Sequence, residues 1–336
     1  WLEYESSGST GEPIVVQGSE LTNFFFGALA LRNHLWHDHD LGAKLATIRT
    51  VVGDAALPSW GPALDVAFRT GPCVTLNIVA DLDRQISWLL EQRPVYLLTH
   101  PSNLLALARE FERRELRLPG LREVWTFGEV LPADLRAACK RAWGVKLTDI
   151  YTAEEVGYIA LQCPEQEHYH VQTENVLVEI IDQQGRTCRP GEIGRVVITT
   201  LHNFAMPLIR YANGDYAEAG EPCPCGRGLP VLRRIMGRQR NMVVLPDGSR
   251  HWPSFPVENW QSLAPIRQIQ MVQQSLLKIE ARVVTDRELT TDEMRKFKAA
   301  LQTSLGYPFE IGIKRVPAIQ RSPNLKFEDF VSEVSA

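Results

Sequence analysis

The chain reads as an α/β protein. A large N-terminal domain of helix-covered, mainly parallel sheet carries a small β-hairpin subdomain rich in cysteine, and a smaller α+β domain follows. Three observations predict this. Between residues 70 and 150 short β runs alternate with amphipathic helical stretches, the pattern of a parallel sheet covered by helices. Between Cys163 and Cys225 two cysteine segments flank a hairpin pattern. At Gly237-Arg238 the rhythm changes to a hairpin signal and a β-α-β unit, which divides the chain into residues 1–238 and 239–336.

In chain order, Ser6-Ser7-Gly8-Ser9-Thr10-Gly11-Glu12-Pro13 precedes the apolar Ile14-Val15-Val16. Small residues let a backbone approach an anion, while hydroxyls and main-chain N–H groups hold phosphate oxygens. Alone, such a cluster is also an ordinary loop, and it lacks the lysine of a Walker loop. A helix-like pattern from Asn23 to Arg49 contains His34, His37 and His39. Three neighbouring histidines suggest a metal, but offsets of three and five do not share one helical face. A partly exposed helix end is expected instead.

Helices are predicted over Asp83–Gln92, Ser102–Glu115 and Ala133–Trp143, and strands over Val95–Thr99, Glu123–Thr126 and Lys146–Ile150. Ligands of such sheets gather at the carboxyl ends of the strands. Two ends carry notable residues: Phe127-Gly128-Glu129, and Tyr151-Thr152-Ala153-Glu154-Glu155. A carboxylate there is the hard oxygen ligand that magnesium takes beside phosphates.

Cys163, His168 and His170 precede a hairpin over Val176–Ile181 and Arg195–Thr200, turned at Gln183-Gln184-Gly185. With Cys223-Pro224-Cys225 they supply three thiolates and an imidazole, the ligand set of a closed tetrahedral zinc site. From the residues alone, reactive or merely buried cysteines are an equal reading. In Arg210-Tyr211-Ala212-Asn213-Gly214-Asp215 an acid follows a glycine at a strand end, where it can accept hydrogen bonds from ligand hydroxyls. Beyond Gly237, Val243 to Gly248 signals a hairpin. Thr290-Thr291-Asp292-Glu293 forms a capping box for a helix expected to bury Met294, Phe297, Leu301 and Leu305. Near the end stands Arg321-Ser322-Pro323-Asn324-Leu325-Lys326-Phe327.

Composition sets the limits. The 336 residues suffice for two domains, and 44% apolar with 23% charged is ordinary for a globular protein. A net charge of −4 gives no footprint for nucleic acid. No apolar run approaches the roughly 20 residues of a membrane span. Six scattered cysteines fit a reducing cytoplasm. Trp1 is not an initiator, so the chain is expected to be a piece of something longer.

Six of these segments, in this order from Ser6 to Lys326, resemble the motifs of the adenylate-forming superfamily of acyl-CoA synthetases, adenylation domains and luciferases. The nearest subfamily is that of the phenylacetate-CoA ligases and their deazaflavin-adenylylating relatives. The resemblance implies a phosphate loop of Ser6, Ser7, Gly8, Ser9, Thr10 and Gly11, with Thr10 counted among the catalytic residues. It implies an adenine border at Gly128 and Glu129, and Tyr151 stacked on adenine beside Thr152, where glycine is usual. Glu155 would hold the magnesium that bridges the phosphates, Asp215 the ribose, and Arg238 would join the nucleotide site. Arg240 falls at the pivot of a mobile C-terminal domain, and Lys326 would reach the acyl carboxylate and α-phosphate, with Leu325 in place of the usual glycine.

Subfamily members with a C…H…CxCG pattern imply Cys163, His170, Cys223 and Cys225 as ligands of a structural zinc, with His170 fitting better than His168. The implied acyl pocket draws on Asn23–Trp36, Thr70–Asn77, Gly128 and Ala153. ATP, Mg²⁺, Zn²⁺ and CoA are the implied cofactors, a small carboxylic acid the substrate, and a homodimer a possible assembly. The implied reaction makes acyl-AMP and then a thioester. The same motifs also serve enzymes that pass the acyl group to a carrier protein or amine, or adenylylate a cofactor. A zinc-containing nucleotide-binding protein with degenerate catalysis is the reading from another class. About a hundred residues of the first domain are expected ahead of Trp1.

Overall fold

The computed structural model describes residues 2–5, 15–50, 53–65, 67–253, 263–319 and 327–334. The chain divides into two compact units. One comprises Trp1–Leu131 and Leu135–Met236, the other Pro132–Asp134 and Gly237–Ala336.

In the first unit, β1 (Leu2–Glu5) pairs antiparallel with β2 (Val15–Gly18), bringing Glu5 opposite Val15. Helix α1 (Glu20–Trp36) starts at Ser19, whose hydroxyl accepts the Thr22 N–H while the Thr22 side chain accepts the Ser19 N–H. The sheet then begins with β3 (Leu45–Arg49), the antiparallel edge strand β4 (Ala55–Leu57), the short α2 (Pro62–Asp65) and β5 (Cys73–Asn77). Helix α3 (Leu82–Gln92) is capped by Asp81 and ends on Arg93 in the left-handed region. It leads to β6 (Tyr96–Thr99), α4 (Pro101–Arg113), β7 (Glu123–Phe127), α5 (Leu135–Trp143) and β8 (Lys146–Ala153). Strands β8, β7, β6, β3 and β5 are parallel neighbours in that order. Their residues are buried on both faces, as helix-covered parallel strands require: Leu97, Ile48 and Leu76 lie fully inside with Leu89 of α3 and Leu104, Leu107 and Phe111 of α4.

The sheet continues through β9 (Gly157–Gln162), β10 (Tyr169–Val171), β11 (Val176–Ile181), β12 (Ile193–Thr200), β13 (Tyr211–Ala219) and β14 (Val231–Arg238). Twelve strands form one sheet in the order β11-β12-β13-β14-β10-β9-β8-β7-β6-β3-β5-β4. The pairs β8–β9, β9–β10, β10–β14, β11–β12 and β12–β13 are antiparallel. The sheet is therefore mixed rather than mainly parallel, and the β11–β12 hairpin belongs to it instead of forming a subdomain. Antiparallel neighbours can be joined by direct reversals, which need no crossover helix.

In the second unit, β15 (Val243–Val244) and β16 (Arg250–His251) form a small hairpin. Strands β17 (Ile266–Gln273) and β18 (Lys278–Thr285) pair antiparallel, and α6 (Thr291–Leu305) crosses to β19 (Glu310–Arg315), parallel to β18. Strand β20 (Phe330–Ser332) adds parallel to β17. Thr290 and Glu293 form the reciprocal cap, and Phe297, Leu301 and Leu305 are fully buried. Met294 is 36% exposed instead of buried, because it lies toward the edge of the stripe that the later residues present to the sheet. Arg240 makes a two-pronged pair with Glu328, at 2.9 and 2.8 Å, and Asn241 donates to the same carboxylate.

Candidate active site

Strand β8 runs three residues further than expected, so Tyr151, Thr152 and Ala153 end the strand instead of following it. Tyr151 is buried, and its hydroxyl donates to Asp215 Oδ2 at 2.7 Å. Asp215 lies on β13, and β9, β10 and β14 intervene between the two strands. In a flat sheet that separation would be about 19 Å, at roughly 4.8 Å per strand step. A direct hydrogen bond therefore means that the antiparallel half curls over the carboxyl end of β8. Gly214 allows the local bend, with φ 85° in the region that disfavours side chains.

A third residue completes the contact, and the sequence reading assigned it nothing. Asn213 donates from Nδ2 to the Tyr151 hydroxyl at 3.0 Å and to Asp215 Oδ2 at 2.8 Å, while its Oδ1 accepts the Asp215 N–H at 3.1 Å. Strand alternation puts Asn213 and Asp215 on one face, the one signal that could have marked it. Gly128 and Glu129 follow β7. The Glu129 carboxylate accepts the Ser102 N–H at 3.0 Å near the start of α4, and His100 donates from Nδ1 to the Phe127 carbonyl at 3.1 Å. Glu129 thus supplies the cap that His100, at the N-cap position, does not. Glu155 lies half-buried in the reversal between β8 and β9. Arg238 ends β14, its N–H bonded to Asn241 Oδ1. Ser6, Ser7, Gly8, Ser9, Thr10, Gly11, Leu325 and Lys326 lie outside the described residues.

Cys163, His170, Cys223 and Cys225 converge, with all ligand atoms within 4.8 Å of one another. Cys163 and Cys223 sulfurs are 3.9 Å apart, and Cys225 Sγ is 3.3 Å from His170 Nε2. Those are the edge lengths of a tetrahedron around a metal at about 2.3 Å from sulfur and 2.0 Å from nitrogen. Desolvation pushes the Cys223 thiol up to about 11. Burial also opposes ionisation of Cys225, but hydrogen bonds from Arg227 outweigh it and bring that thiol down to about 7. His168 is not in the cluster.

The histidine-rich segment departs from the expected exposed helix end. Helix α1 stops at Trp36, and Asp38 takes φ 54° and turns the chain back. His39 Nδ1 thereby meets His34 Nδ1 at 2.9 Å, and its Nε2 meets the Glu123 carboxylate at 3.0 Å, whose other oxygen accepts the Thr148 hydroxyl. His34 and His39 are buried against Trp125, which stacks on His39. Helical-face reasoning failed because the segment leaves the helix between the histidines. His37, His39 and Glu123 are close enough to hold a metal. Their polar atoms are already engaged, His37 donating to the Gln162 carbonyl and accepting from Lys146. Burial first, and then the neighbouring His39 and His37, lowers His34 to about 3; burial and Lys146 lower His37 to about 4.

No protein-family profile matches the chain. Curated relatives do. The phenylacetate-coenzyme A ligase of Thermus thermophilus is 30% identical over 176 residues, covering 48% of this chain and 38% of that protein. The one from Aromatoleum evansii is 31% identical over 250 residues, 72% of this chain and 55% of its own length. The chain thus spans about half the length of the curated relatives it matches. Among solved structures, a 2-hydroxyisobutyryl-CoA ligase in its postadenylation state with R3-HIB-AMP superposes with a TM-score of 0.77, at 19% identity, over 99% of this chain and 73% of that one. The anthranilate CoA ligase AuaEII in complex with anthranoyl-AMP gives 0.71 at 16% identity, over 97% and 65%. In sequence the chain is similar to phenylacetate-coenzyme A ligases, and its fold is that of the adenylate-forming CoA ligases.

Proposed function

We propose that the chain belongs to an AMP-forming acid–thiol ligase, which activates a small carboxylic acid as acyl-AMP and transfers it to CoA. The observation that carries this reading is the bond between Tyr151 and Asp215, which draws two distant segments to the carboxyl end of β8. A phenol face and a carboxylate held together suit the base and the ribose of one nucleotide. Ser6 to Gly11, Thr10 included, would hold the phosphates, with Gly128 and Glu129 bordering adenine and Arg238 near the nucleotide. Glu155 has the chemistry to ligate Mg²⁺, which would neutralise phosphate charge. Lys326 would bring a cation to the α-phosphorus, where negative charge accumulates as pyrophosphate leaves. Rotation of the second unit about Arg240 would then withdraw Lys326 and admit the thiol.

The likeness to acyl-AMP complexes of CoA ligases supports this order of events. The Cys163–His170–Cys223–Cys225 cluster fits a closed structural zinc site without an open position for catalysis. All six cysteines are free, which suits a reducing cytoplasm; among the described residues no helix is long and apolar enough to cross a membrane.

Acid-dependent ATP–pyrophosphate exchange, screened over aryl and alkyl acids and followed by CoA addition, tests the proposal. Exchange with one acid class and thioester on adding CoA is the expected result. Exchange without thioester would redirect the acceptor to a carrier protein, an amine or a cofactor. No exchange and no ATP binding would leave a zinc-bearing fold.

A further inference from the structure

We infer that Asn213 is a positioning residue that holds the ribose-binding carboxylate of Asp215 in register with Tyr151. The inference rests on the nucleotide reading above and adds to it a residue that the motif resemblance does not assign. Three bonds from one amide define the arrangement. Nδ2 reaches both the Tyr151 hydroxyl and Asp215 Oδ2, and Oδ1 takes the Asp215 N–H. An amide flipped end for end would set its N–H groups against a backbone N–H and its oxygen against a carboxylate, so the orientation is fixed by the partners.

Asp215 Oδ2 receives two donors, from Tyr151 and Asn213. Two donors on one oxygen fix the plane of the carboxylate as well as its place. Asn213 is 9% exposed, so water cannot substitute for its donors without opening the site. It also sits where the curled sheet closes on itself, since β13 meets β8 across three intervening strands. No other common side chain of this size offers two donors and an acceptor. Leucine offers none, and aspartate would set like charges together.

The test compares ATP with 2′,3′-dideoxy-ATP, which lacks the ribose hydroxyls, by calorimetric titration into wild type, Asn213→Leu and Asn213→Asp. Wild type should bind ATP more tightly than the dideoxy analogue. Asn213→Leu should lose about tenfold in ATP affinity, the value of one to two well-placed hydrogen bonds, with no change for the dideoxy analogue. Asn213→Asp should bind ATP poorly at neutral pH, because it sets two like charges side by side and removes the donors. Equal weakening for both nucleotides would assign Asn213 a merely structural role and overturn the inference, as would unchanged ATP affinity. If wild type binds neither nucleotide, the proposed function falls and the inference with it.

Discussion

Replacing His34 by Gln should flatten the acid dependence of folding stability by an amount the structure specifies. His34 is buried against Trp60 and Trp125 and shares a hydrogen bond with His39. Burial, with His39 and His37 alongside, lowers it from 6.5 to about 3 in the folded protein. The unfolded chain therefore binds one more proton at this site throughout that interval, and stability rises with pH across it. The contribution is complete above about pH 6.5 and disappears as the pH falls toward 3. One proton taken up on unfolding corresponds to a slope of about 1.4 kcal/mol per pH unit. Between pH 6 and 4 wild type should lose about 3 kcal/mol more than His34→Gln, whatever the variant's stability at neutral pH. Asp149, which burial pushes up to about 6, titrates in the same range with opposite sign but is common to both proteins and cancels. Urea unfolding at half-unit pH steps from 4 to 7 gives the two slopes. Parallel lines would refute the reasoning and mean that His34 is protonated in the fold, or accessible to water.

Three further outcomes are expected. Lys326→Ala should abolish acid-dependent pyrophosphate exchange while sparing thioester formation from preformed acyl-AMP; equal loss in both half-reactions would remove its assigned role. Elemental analysis should find one zinc per chain, and Cys225→Ser should lose it and lower the melting midpoint by about 5–10 °C, whereas a metal-free wild type of full stability would contradict the tetrad. Gly71→Ala should cost about 2–3 kcal/mol, measured by urea unfolding, because a Cβ there would stand 2.2 Å from the Gly42 carbonyl oxygen and 2.4 Å from that of Ala43.

Strands β6, β7 and β8 were legible as short apolar runs between amphipathic helices, whereas β3 lay inside the stretch expected to be helical up to Arg49 and β5 was not expected as a strand. Thr290 announces a helix start as any capping residue does, while Asp81 shows its capping role only in the structure. The antiparallel half was less legible. Nothing local says that β10 pairs with β14, where Tyr169 meets Leu232, or that β13 curls back over β8. For the same reason the cysteine pair and the lone Cys163 could be counted in the sequence, but their convergence required a fold. Asn213 carried no signal at all beyond its spacing from Asp215. The histidines misled because the helical rule was applied across the point where Asp38 ends the helix.

The account turns on whether the Tyr151–Asn213–Asp215 cluster receives a nucleotide. Diffraction from crystals grown with Mg²⁺ and a non-hydrolysable ATP analogue tests this most directly. The account predicts ribose hydroxyls within hydrogen-bonding distance of Asp215, the base against Tyr151 and the phosphates on residues 6–11. A nucleotide bound elsewhere, with the Tyr151–Asp215 bond undisturbed and no ribose contact, would contradict it.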